Sequence, residues 1–124
     1  MDDNEFEKLV NSSITSIPKE FLDKLENVTI VIEDLPTPYQ ITKLKKRGAR
    51  ALLLGLYEGV PQTRRGRYGV GGQLPDKITI FKKSILYIAR SREEVSKIVQ
   101  ETVVHEIAHH FGMDEKMIRQ AKSK

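Results

Sequence analysis

Cysteine is absent from this sequence of 124 residues, and so is tryptophan. Without thiols there is neither a disulfide framework nor a thiolate metal site, so any bound metal must rely on histidine and carboxylate. Aromatic residues make up 6% of the chain, too few for the stacking platform of a single-strand nucleic-acid binder. Long apolar runs are missing as well. Runs such as residues 51–54 fall far short of the ~20 residues needed to cross a bilayer as a helix. The opening, Met1-Asp2-Asp3-Asn4-Glu5, is acidic with no apolar stretch behind it, which points away from a signal peptide and toward a cytoplasmic location. Charge of one sign is scarce too. There are 21 Lys and Arg against 17 Asp and Glu, a formal net charge of +4 that suits a solvated surface. Two basic runs, Lys43-Leu44-Lys45-Lys46-Arg47 and Arg64-Arg65-Gly66-Arg67, come without any RNA- or DNA-binding signature, so no specific nucleic-acid partner is expected.

What is present gathers near the C-terminal end. All 3 histidines fall in Val104-His105-Glu106-Ile107-Ala108-His109-His110-Phe111-Gly112, which contains HExxH. Histidines at i and i+4 sit one above the other on a helix, ~5–6 Å apart at Cβ. His105 and His109 can therefore converge on one zinc ion at the usual ~2.0–2.1 Å. Glu106 lies about 100° further around the helix, placed to reach a metal-bound water rather than the metal. This is the arrangement of a zinc-dependent peptidase, with Glu106 as general base. The helical context supports it. Ser91 followed by Glu94 reads as a capping box, and Val95, Ile98, Val99, Val103, Val104, Ile107, Ala108 and Phe111 then recur at helical spacing. From residue 102 to 111 the segment is apolar apart from the motif, so its second half is expected to be buried, with a metal satisfying the histidines. Core histidines bonded to backbone carbonyls are the plainer alternative, but they have no reason to adopt ligand spacing around a glutamate.

A catalytic zinc site takes a third protein ligand and leaves the fourth position open. With no fourth histidine, that ligand is expected to be a carboxylate beyond Gly112, which can end the helix in the left-handed conformation. Asp114 and Glu115 compete. Asp114 suits the N-cap of a following helical stretch over residues 115–122. Glu115 lies six residues after His109, where the extended pattern HExxHxxGxxH puts its third ligand, and is the preferred candidate. Zinc is the default for two histidines and a carboxylate, although Fe, Co, Ni or Mn suit the same donors.

The run HEIAHHFGMDE, the upstream LLLGLYEGVPQTRRG and the intervening LPDKITIFK together resemble the minimal metallopeptidase-like zincins, a family of small bacterial proteins. The resemblance covers residues 6–118. The family's motif, HExxHxxGxxD, falls here on His105, Glu106, His109, Gly112 and Glu115, with glutamate replacing the last aspartate. Glutamate keeps the donor atoms and adds a methylene. The resemblance implies a compact α+β fold without the flanking domains of larger zincins, and a peptide or protein substrate.

Elsewhere the pattern is that of one domain over residues 1–124, large enough for a single core but not for a separate substrate domain. Phe6, Leu9, Val10 and Ile14 predict a first amphipathic helix, and Pro18 opens a second carrying Phe21, Leu22 and Leu25. Residues 28–32 read as a strand, as do 51–57 and 77–81. Pro36 and Pro38 break the chain before a basic stretch over 43–50. Residues 85–89 are expected to add a short strand before the motif helix. The expected class is α+β, a small sheet packed against the HExxH helix. Ile78-Thr79-Ile80 is the candidate edge along which an extended peptide would lie. The glycine-rich Gly66–Gly72 segment lacks GK[ST] and a following helix, so it reads as a strand connection or flap rather than a nucleotide site. Two functions from different classes remain: a zinc peptidase working through Glu106, and a metal-stabilised module that binds peptides without cutting them. The sequence leaves oligomeric state open.

Overall fold

The computed structural model describes residues 1–46, 53–59 and 75–113, with the backbone alone over 43–46. Helix α1 (Asp3–Ile14) begins at an Asp2 cap whose carboxylate accepts from the Glu5 N–H at 2.8 Å. Of the predicted stripe, Phe6 and Val10 are buried and Leu9 and Ile14 half-buried, and Ser13 is buried beside them. Pro18 caps a short α2 (Lys19–Leu22), which tightens into a 3₁₀ turn (Asp23–Leu25) and buries Phe21. The predicted second helix is thus a single α turn followed by a 3₁₀ turn.

Among the described residues, three strands make one mixed sheet in the order β1-β3-β2. Strand β1 (Val28–Glu33) runs parallel to β3 (Asp76–Phe81), with Ile30 opposite Ile78 and Ile32 opposite Ile80. Strand β2 (Gly55–Glu58) runs antiparallel to β3, with Gly55 opposite Ile80 and Tyr57 opposite Ile78. Residues 78–80 therefore occupy the central strand, and the expectation that they form an edge is overturned. Among the described residues, the edge beside the motif helix is β2. Complete burial of Ile78, Thr79, Ile80 and Phe81 gives the physical reason, since a strand covered on both faces belongs inside the sheet.

Helix α3 (Pro38–Lys46) starts where two prolines suggested only a break. Thr37 and Gln40 form a reciprocal capping box: the Thr37 N–H donates to Gln40 Oε1 at 2.9 Å, and the Gln40 N–H donates to Thr37 Oγ1 at 3.1 Å. Pro38 then sits at the first helical position, which needs no N–H donor. The start of the basic stretch is the tail of this helix. Residues 85–89 are likewise not a strand. Strand β3 passes directly into helix α4 (Lys82–Ile88), where Phe81, Ser84 and Ile85 are buried at i, i+3 and i+4. A short apolar run does not distinguish the two periods, and packing decides.

Helix α5 (Arg92–His110) carries the motif. Ser91 caps it as predicted, accepting from the Glu94 N–H at 3.2 Å. It packs on α1, where Gln100 Nε2 donates to the Ser13 carbonyl at 3.0 Å, and on the sheet through Val99, Val103 and Ile107, all fully buried. The main core joins α1, α5 and the Ile78 and Ile80 side of the sheet, while Leu53, Leu56 and Phe81 cluster separately. The fold is α+β, a small sheet against the motif helix. Among the described residues no helix is long and apolar enough to cross a membrane.

Candidate active site

The end of α5 is built by a Schellman turn. Gly112 adopts φ 67°, the left-handed value expected of a glycine there. Its N–H donates to the His109 carbonyl at 3.4 Å and the Met113 N–H donates to the Ala108 carbonyl at 2.8 Å, while Met113 packs against the core. Asp114 and Glu115 follow directly in sequence but lie outside the described residues, as do the helix expected over 115–122 and the glycine-rich segment.

Burial along α5 stops at Ala108. His105 and Glu106 are half-buried, whereas His109, His110 and Phe111 are exposed. The expectation of a fully buried second half therefore fails for the last turn, because the helix runs out past the end of β2 at Glu58. Only His105 and Glu106 need partners on grounds of burial. His109 is freely reachable.

A depression of about 320 Å³ opens at this end, lined by Tyr57, Glu106, His109 and His110. The Tyr57 backbone N–H donates to Glu106 Oε1 at 2.8 Å, so the edge strand grips the carboxylate. On the other side of the same residue, the Tyr57 hydroxyl donates to Asp76 Oδ2 at 2.6 Å. The His110 ring stacks on Tyr57, centroids 3.9 Å apart and planes 17° from parallel, and its Nε2 lies 3.9 Å from Asp76 Oδ2. Phe111 closes the cluster edge-on to both rings, with the Lys24 ammonium 4.7 Å from its centroid. The third histidine of the motif region thus packs as an aromatic wall of the depression.

The structure places His105 and His109 one turn apart on α5, and brings Tyr57 from β2 to Glu106 and Asp76 from β3 to His110. Among the described residues no group of three His, Cys, Asp or Glu converges as a metal site. The donor chemistry of the described residues fits zinc, since two imidazoles stand one turn apart on α5. Glu106 is held by the Tyr57 backbone N–H. Tyr57 and Asp76 were not singled out from the sequence. Both lie inside the stretches LLLGLYEGVPQTRRG and LPDKITIFK that carry the resemblance to minimal zincins, which was the available signal.

The sequence matches the profile of the zincin-like metallopeptidase family over residues 25–124. The chain belongs to that family. Among solved structures it is similar to a conserved hypothetical protein from Thermus thermophilus, with 24% identity and a TM-score of 0.53 over 90% of this chain and 94% of that one. This likeness concerns the fold. Among curated proteins, none matches the chain.

Proposed function

We propose that this protein is a metal-dependent peptidase, with His105, His109 and Glu115 as the ligands of a zinc ion and Glu106 as the general base. The observation that carries the reading is the placement of Glu106, whose carboxylate is held at the wall of an open depression shared with His109. Zinc bound there would supply Lewis acidity, polarising a peptide carbonyl and acidifying water. Glu106 accepts the proton of the attacking water and passes it to the leaving amine. The Tyr57 N–H restrains the carboxylate through Oε1. An extended peptide would lie along β2, the edge bordering the depression, with the Tyr57–His110–Phe111 cluster against its side chains.

The decisive experiment is Glu106→Gln. The amide fills the same space and can still accept from Tyr57, but it cannot take a proton. We expect metal content and unfolding temperature to be retained and kcat on unstructured peptides to fall ~10²–10⁴-fold. Turnover that survives the substitution refutes the assignment. A wild type that holds zinc and binds peptides without cleaving any would favour the binding-module function instead.

A further inference from the structure

Helix α5 approaches β2 so closely at Gly55 that any side chain there would force a neighbour to shift. A Cβ built there would lie 2.5 Å from Thr102 Cγ2 and 3.1 Å from the Thr79 carbonyl oxygen. The carbonyl belongs to the central strand, so it is the helix that must give. Thr102 precedes Glu106 by one helical turn, an advance of ~6 Å. Gly55 precedes Tyr57 by two strand residues, an advance of ~6.6 Å. The two elements therefore keep step, and the tight contact at Gly55 comes just before the hydrogen bond from the Tyr57 N–H to Glu106. Orientation agrees as well. The Phe81 N–H donates to the Leu54 carbonyl at 3.0 Å, so by the alternation of an antiparallel ladder the amides of Gly55 and Tyr57 face away from β3.

We propose that Gly55 is a positioning residue for Glu106: lacking a side chain, it sets the helix–strand separation at which the Tyr57 amide holds the carboxylate. The inference deepens the reading of Glu106 as base and rests on it for its catalytic meaning. Its geometry does not. Relieving a 2.5 Å contact to the ~3.5–4.0 Å optimum for carbon pairs moves the helix by ~1 Å. The 2.8 Å bond to Glu106 does not survive such a shift, since beyond ~3.5 Å it is no longer a hydrogen bond.

The test is amide hydrogen exchange on the full chain. In Gly55→Ala the Tyr57 amide should exchange roughly ten- to a hundred-fold faster, as expected for losing a bond to a charged acceptor. The Leu56 amide, which faces β3, should change little. Glu106→Ala should reproduce the Tyr57 effect. Thr102→Ser removes the obstructing methyl and keeps the hydroxyl, so Gly55→Ala/Thr102→Ser should recover Tyr57 protection, whereas Gly55→Ala/Thr102→Val should not. Unchanged protection in Gly55→Ala, equal loss at Leu56, or no rescue by serine overturns the proposal. If Gly55→Ala does not fold alone, folding and protection in the serine double variant but not the valine one support it, and failure of both refutes it. Peptide turnover, read in parallel, separates the two ideas: an inactive wild type with the expected exchange pattern removes the base assignment and leaves the positioning intact.

Discussion

Tyr57→Phe removes the phenol that donates to Asp76 at 2.6 Å and leaves the ring in place against His110. Asp76 is 8% exposed, so water does not readily replace the lost donor. A hydrogen bond to a charged group is worth ~1.5–3 kcal/mol, and leaving a buried acceptor short costs a similar amount. For a domain of this size each kcal/mol corresponds to about 3–5 °C, so the melting temperature should fall by about 5–15 °C. Urea denaturation should show a lower midpoint with an unchanged slope, the signature of lost stability without altered compactness. A double-mutant cycle with Asp76→Ala, which removes the acceptor, isolates the pair from the many other contacts of both residues. A destabilisation below ~0.5 kcal/mol, within the range of an ordinary surface substitution, together with zero coupling would refute the reasoning. The backbone N–H of Tyr57 is untouched, so its hold on Glu106 should persist.

The remaining expectations concern metal, packing and pH. His105→Ala and His109→Ala should each abolish zinc binding by elemental analysis; Glu115→Ala should weaken it at least about tenfold by competition with a chelator, in line with a lost ligand. Asp114→Ala should retain zinc and lose about 1 kcal/mol of helix capping; zinc lost only in that variant would reverse the assignment of the two acids. Ile107→Ala should cost ~2–5 kcal/mol in chemical denaturation, since Ile107 is fully buried between Glu106 and Ala108. At the α1–α4 contact, the hydrogen bond from Lys82, reinforced by its charge, holds the Asp3 carboxyl below its ordinary 3.8. A depressed folded-state value means that this pair stabilises the fold above that pH and ceases to as the pH falls through the lowered value. Wild type and Lys82→Met should accordingly differ slightly in urea midpoint at neutral pH and converge in strong acid. A difference that widens on acidification would contradict the assignment.

Local relations were legible in the sequence. The spacing of Phe6 and Val10, the Ser91 cap, the single helix that carries both His105 and His109, and the left-handed Gly112 all act within a turn or two of helix, and each is found. The α+β class followed from the same patterns. Where two periods fit a short run, reading failed: residues 85–88 are helical because Ser84 and Ile85 face the core from a chain leaving β3. The edge beside the motif helix was misassigned because strand order is not written in any one strand. Only pairing with both β1 and β2 puts residues 78–80 at the centre. The exposed last turn of α5 depends on where β2 stops. Tyr57 meets Glu106 across 49 residues of sequence, through a helix–strand approach that a single glycine permits. Helix geometry thus sets which groups share a turn, while the packing of α5 on the sheet decides what the carboxylate between the two histidines touches.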